Sequence, residues 1–263
     1  MKILWLIILL AGAAALIYFF NWPILAVSRL QYQADRYFRL GLMAEGDRLW
    51  QRLLDFPSPY INASRKTAAV SWLELLGTDL IADSEKQDLA KRALAELQAL
   101  TIEESGNYAY WAALADAATI TAGYDESFLA MAAEAVAKAR QLSPRRQTPL
   151  YILFRIRQLQ GDRLGAIRAL EEAINLDQIV GDPYFLYAVT LIENGFVKEG
   201  KEALATAKKL GREARDFKEH RALAIVLAQA GEKELAQLYL EKALGFRPGD
   251  SQLQQLKKEL MGE

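Results

Sequence analysis

The chain has 263 residues, 52% of them hydrophobic, with 32 basic and 33 acidic residues and a net charge of −1. That balance lacks the strongly basic face by which duplex binders hold phosphates, so nucleic acid is not an expected partner. With no cysteine and a single histidine, His220, the chain has no disulfide, thiolate nucleophile, Cys-based zinc site or histidine pair; no metal and no cofactor is expected.

Residues 3–20 run without a charged or strongly polar side chain. At 1.5 Å per residue they cover roughly 27 Å, close to the thickness of a hydrocarbon core. Trp5 stands near one end and Tyr18 and Trp22 at the other, where interfacial aromatics belong. The small residues Ala11, Ala13 and Ala15 could form a signal-peptidase site, but the apolar run continues through 16–20, so an uncleaved single-pass helix is expected. The chain then divides into an anchor, 1–22, and a helical domain, 23–263. Arg29, Arg36 and Arg39 beyond the span count toward a cytoplasmic C-terminal side. The two-residue basic leader before a single span is the opposing pattern, that of a signal anchor exporting its C-terminal domain. The expectation is a domain outside the cytoplasmic membrane.

Pro23 can open a new helix, since its missing N–H costs nothing in a first turn. The pattern reads helical over 24–40, breaks at Gly41, and resumes over 44–54, where Phe56-Pro57-Ser58-Pro59 ends the pair. A second pair reads 62–76, closed by Gly77 as a left-handed cap, then 84–100, opened by Ser84 with Gln87 as a capping box. The third pair starts at Asn107, with Tyr108, Trp111, Ala112, Leu114 and Ala115 as its apolar stripe, and ends at Leu142-Ser143-Pro144. Its internal turn is about four residues longer than the others, so an irregular loop is expected over 124–128.

From 149 to 248 the chain says the same thing three times. Aligned on Gly161, Gly195 and Gly231, it places Ala166, Gly200 or Ala236 five residues on, and Leu170, Leu204 or Leu240 nine on. Ala173, Ala207 or Ala243 comes at twelve. Small residues on one helix face admit a close neighbour, and a period near 35 residues marks a stack of helix–turn–helix units. Residues 251–260 are polar on most faces and read as a capping helix. No segment alternates with period two, so no sheet is expected.

These positions, above all Gly231, Ala236, Leu240, Ala243 and Pro248, resemble the tetratricopeptide repeat (TPR) family, best over 107–248. The resemblance implies an all-α, right-handed solenoid of about six helix pairs behind one transmembrane helix. It also implies a protein or peptide partner in a concave groove lined by the first helix of each pair. Projecting the repeat positions puts Tyr110, Tyr151, Arg155, Gln158, Phe185, Ile192 and Arg221 in that groove, a mixture of aromatic, Arg and apolar residues suited to peptide binding. The apolar span, the proline after it, the degenerate pairs and Leu142-Ser143-Pro144-Arg145-Arg146-Gln147 leading to Gly161-Asp162 are similar to the membrane-proximal repeat tails of bacterial O-antigen ligase/polymerase-like proteins. That resemblance implies surface-glycan assembly. Catalysis in that family belongs to a many-spanning domain, so it implies for this chain an accessory subunit or detached tail, in contact with a polytopic membrane protein.

No phosphate loop, dinucleotide fingerprint or nucleophile elbow is present. Glu103-Glu104 and Glu171-Glu172 are adjacent on helices and point about 100° apart, so neither pair converges on one atom. No catalytic residue and no enzymatic activity are expected. His220 reads as a structural residue, partly exposed near the start of a helix. Residues 198–221 hold eight basic and five acidic side chains, which read as a solvated, self-compensating face or, alternatively, as a patch for anionic headgroups. The expected role is a membrane-tethered scaffold for protein–protein contacts in envelope or surface-glycan assembly.

Overall fold

A computed structural model describes residues 2–56, 58, 60–78 and 80–262, without the side chains of 2–4, 6–8, 14, 17, 19, 20 and 83. Among the described residues there are thirteen α-helices and no strand. They form two compact units, 1–142 and 143–263. The division falls at Leu142-Ser143-Pro144, where the proline removes a donor and disfavours helical geometry at the residue before it.

The first unit holds α1 (Lys2–Arg39), α2 (Met43–Leu54), α3 (Ile61–Leu76), α4 (Asp83–Glu103), α5 (Tyr108–Ala122) and α6 (Leu129–Leu142). These are three antiparallel pairs, each helix packed on its sequence neighbour. Trp50, Leu53, Trp72, Leu76, Leu97 and Leu100 are fully buried between them, each large apolar side chain contributing about 1.5–3 kcal/mol on burial. Polar clasps fix the helices against one another. Arg92 of α4 holds Asp47 of α2 through two nitrogens, at 2.7 and 3.2 Å, while its guanidinium lies 4.5 Å from the Trp72 ring of α3. Arg65 of α3 binds Glu96 at 2.7 Å and Glu103 at 2.8 Å on α4.

The second unit holds α7 (Thr148–Leu159), α8 (Arg163–Leu176), α9 (Gly181–Glu193), α10 (Val197–Lys209), α11 (Phe217–Gln229), α12 (Lys233–Phe246) and α13 (Ser251–Met261). The aligned glycines are its turns. Gly161, Gly195 and Gly231 have φ of 69°, 86° and 78°, the left-handed region that a Cβ disfavours. At each one the next residue donates back to the carbonyl five residues earlier, as Phe196 does to Leu191 at 2.9 Å, which satisfies carbonyls the helix end leaves open. The small-residue face is buried as the repeat requires. Ala173, Ala207 and Ala243 are 0% exposed, whereas Ala205, off that register, is exposed.

Several local expectations are corrected. Pro23 lies inside α1 rather than at a helix start. An interior proline forfeits one hydrogen bond, but the turns after it are held by packing on α2 and α3, with Val27, Ala34 and Phe38 buried. Gly77 has φ −83° and is not a left-handed cap. The α4 cap sits two residues upstream of Ser84, where the Glu85 carboxylate accepts from the Ala82 N–H at 3.0 Å. His220 is 6% exposed rather than partly exposed. Pro57 and Pro59, expected to end the first pair, lie outside the described residues. So do many side chains of the expected span, 3–20. Among the described residues no helix is long and apolar enough to cross a membrane.

Candidate partner-binding surface

Three of the seven residues expected in the groove, Tyr110, Phe185 and Ile192, are buried. Tyr110, at 8% exposure, is buried in the first unit among α5 and its neighbours. Phe185 and Ile192, at 2% and 3%, are buried in the core shared by α9, α10, α11 and α12. The Phe185 ring lies 4.1 Å under the Arg212 guanidinium. Ile192 occupies the space that a side chain at Gly200 would need. Arg221 of α11 turns to the end of the chain, where it donates to Gln252 of α13.

Tyr151, Arg155 and Gln158 do share a face. They stand four and then three residues apart on α7, the spacing of one helical stripe, with Tyr151 and Arg155 half-buried and Gln158 exposed. Tyr151 is fixed at the base of the stripe, its hydroxyl donating to the side-chain amide oxygen of Gln147 at 3.2 Å. Gln147 in turn donates to the Ala173 carbonyl at 2.8 Å, which ties the start of α7 to α8. Burial first, then Asp182 and Asp177, push the Tyr151 hydroxyl up to about 12. It therefore stays protonated, and a donor, at any physiological pH.

At the other end of the stripe Gln158 borders a hollow of about 260 Å³ with Arg163, Thr190, Glu193 and Asn194. Sequence reasoning missed this hollow. Its signal was available in the turns that follow α7 and α9, which contribute Gly161 and Asn194 to its lining. Asn194 is held in place by donating to the Thr190 carbonyl at 2.8 Å, and Thr190 donates to Leu186 at 2.8 Å. The stripe thus sets an aromatic ring, a guanidinium and an amide in line. The hollow beside it is lined by one cation, Arg163, and one anion, Glu193. Among the described residues no group of three His, Asp or Glu stands where it could hold a metal ion.

Cations of the basic stretch 198–221 are paired with acids inside and outside it. Lys201 pairs with Glu232 at 2.8 Å, Lys208 with Glu213 at 2.9 Å, and Arg215 with Asp182 at 3.5 Å. Arg212 is buried, with Asp182, Glu219 and the Glu213 carbonyl all accepting from it. It serves the junction between α10 and α11 rather than a partner. The sequence hid this role, since nothing in the pattern separates this one buried cation from its seven basic neighbours.

No family model and no curated protein sequence matches the chain. Solved structures do. The Cut9–Hcn1 hetero-tetramer of the APC/C is similar at 15% identity and a TM-score of 0.62, over 91% of this chain and 46% of that one. PilF of Pseudomonas aeruginosa is similar at 13% identity and a TM-score of 0.58, over 90% and 99% of the two chains. A thermophilic TPR protein of Thermus thermophilus has 16% identity and a TM-score of 0.48, over 90% and 100%. At these identities the likeness is one of fold, a TPR-type array of helix pairs.

Proposed function

We propose that this TPR-type array is a non-catalytic scaffold, tethered to the cytoplasmic membrane by residues 3–20, that binds a protein partner along α7. The α7 stripe carries this reading, because Tyr151, Arg155 and Gln158 present graded exposure beside a polar hollow and the hydroxyl at its base is fixed. The tether rests on the apolar sequence of 3–20 and on exposure along the start of α1. Trp5, Leu9, Leu10, Leu16, Tyr18 and Trp22 are all more than half exposed, far more contiguous apolar surface than a helix in water ordinarily keeps. The domain lies outside the membrane and acts in envelope or surface-glycan assembly.

A photo-crosslinking residue placed at Arg155 in membranes tests the surface, with Ala205 on the exposed face of α10 as control. A protein captured from position 155 and not from 205 supports the reading; equal capture at both overturns it. Recovery of a polytopic glycan polymerase as the main product would assign the chain as an accessory subunit of that enzyme. Protease added to spheroplasts is expected to digest residues 31–263, and full protection would place the domain in the cytoplasm.

A further inference from the structure

We propose that α1 binds an anionic phospholipid just beyond the tether: Arg29 takes the lipid phosphate, while Trp22 and Leu25 lie in the headgroup layer below it. The inference rests on residues 3–20 crossing the membrane, as proposed above, and holds for either face of it. Helix α1 runs unbroken from Lys2 to Arg39, so the apolar run and the first helix pair share one helix axis. Val27, Ala34 and Phe38 are buried on the side that packs on α2 and α3. Trp22, Leu25 and Arg29 stand three and four residues apart, the spacing of one stripe, on the opposite side of the helix. Trp22 and Leu25 are more than half exposed, and Arg29 is exposed. Trp22 also stacks on Tyr18, with ring centroids 5.5 Å apart.

Depth along the helix selects Arg29. At 1.5 Å per residue its Cα stands about 13 Å beyond residue 20, the end of the apolar run. Helical side chains slant back over about one turn toward the N-terminus, which brings the guanidinium down to roughly 8 Å. That is the outer edge of a headgroup layer about 5–8 Å thick. Trp22 and Leu25, about 3 and 7.5 Å beyond residue 20, fall within the layer, where an aromatic ring with a polar tip belongs. Arg36 is exposed on the same stripe, but it stands about 10 Å higher than Arg29, more than the Debye length of about 8 Å. Arg29 is also uncommitted. Its neighbours three and four residues away are Leu25, Ala26, Tyr32 and Gln33, and among the described residues no carboxylate pairs with it. Asp35, the acidic residue of α1, accepts from Ser71 of α3 at 3.0 Å, and Asp47 of α2 is held by Arg92. A second copy alongside in the same membrane would set Arg29 against Arg29, and like charge disfavours that pairing. A phosphate instead complements the guanidinium through two parallel hydrogen bonds.

The test uses full-length protein carrying Trp5→Phe, so that Trp22 reports this end of the span; Trp50, Trp72 and Trp111 lie on α2, α3 and α5. It is placed in vesicles of phosphatidylcholine and phosphatidylglycerol in equal parts, with one lipid or the other brominated on its upper acyl chain to quench nearby tryptophan. Phosphatidylglycerol is expected beside Trp22 with about fivefold preference, the ratio that corresponds to about 1 kcal/mol per basic residue at a membrane surface. Arg29→Gln should abolish the preference, Arg36→Gln should leave it in place, and raised salt should weaken it. Flotation of the protein with the vesicles reads the tether by itself, and failure to float overturns the tether and the lipid site together. With flotation intact, equal quenching by the two lipids, a preference that survives Arg29→Gln, or the same loss in both arginine variants would each overturn the lipid site alone. Quenching by neither lipid would also overturn it, by showing that a protein or a second copy covers Trp22.

Discussion

Gly200 and Gly245 are both helical glycines in the second unit, and the space around them differs. A Cβ at Gly200 would lie 2.5 Å from Ile192 Cγ1 and 3.0 Å from the Ala188 carbonyl oxygen, whereas at Gly245 nothing lies within 4 Å. Backbone cannot move aside as a side-chain tip can, so Gly200→Ala should cost roughly 1–3 kcal/mol. Gly245→Ala should instead stabilise by about 0.5–1 kcal/mol, since alanine loses less entropy in a helix. Urea denaturation of both variants checks this, and a loss at both would mean that Gly245 has a neighbour the packing does not show. His220 makes a second case. It lies between Tyr239 and Phe246, at centroid distances of 5.9 and 5.8 Å, and its Nδ1 has no partner among the described protein groups. Burial first and then Lys242 of α12 lower its pKa, against the opposing pull of Glu219, Asp216 and Glu213. The unfolded chain therefore takes up the proton first as pH falls below about 6.5, its ordinary value. Stability tied to neutral His220 is complete above that pH and declines as pH falls through the lowered folded value. Thermal melts from about pH 7.5 to 5 should show this decline in the wild type and a shallower one in His220→Phe. Identical slopes would show that His220 is not the group responsible.

Among the elements, the connection from α10 to α11 is the most instructive, because a buried side chain, Arg212, lies at its centre. Arg212 is 5% exposed, spans from Asp182 at the start of α9 to Glu219 of α11, and covers Phe185. Its two carboxylate partners remain partly solvated, at 45% and 27% side-chain exposure. Removing the cation therefore leaves charges that water can reach, and Arg212→Ala should cost about 1–3 kcal/mol rather than the larger penalty of a stranded buried ion. Arg212→Lys should recover little, since an ammonium cannot fork between two carboxylates and stack on a ring at once. Hydrogen exchange of α9 and α11 reads both variants; full rescue by lysine would reduce the role of Arg212 to charge alone. The α1–α2 turn shows the same dependence on a few residues. Gly41 has φ 73°, and five residues later Gly46 is pressed against Phe38. The first pair thus repeats the glycine and small-residue spacing of the later ones. Its match in sequence was obscured because Trp50 and Leu53, not leucine and alanine, fill the next two positions.

For the whole molecule, the two compact units imply separable stability. Contacts in a helix-pair array are made with neighbours, so a unit with its own core and cap can fold without the rest. The second unit has both, with Leu223, Leu227 and Phe185 in its core and Leu253 of α13 packed against Leu240 and Ala243. Residues 143–263 expressed alone should show a helical circular dichroism spectrum and a cooperative melt. A non-cooperative melt would mean that the first unit supplies part of their stability.

The helix pairs, their turns and their close-packed face were legible in the amino-acid order alone. Those features rest on local physics, since a left-handed turn selects glycine wherever it occurs and a tight helix contact selects alanine or glycine at a fixed distance from it. Gly161, Gly195, Gly231 and the buried alanines could therefore be read without knowing any neighbour. The identity of the exposed residues could not. Phe185 and Ile192 sit on the same helix as exposed Glu193, and whether they meet a partner or the protein's own interior depends on where α10 and Arg212 come to rest. A hollow of about 280 Å³ behind the α5–α6 turn was likewise visible only as a turn of excess length. Its walls come from three helices and a loop up to 52 residues apart in the chain, Leu76 to Phe128, and only tertiary packing brings them together.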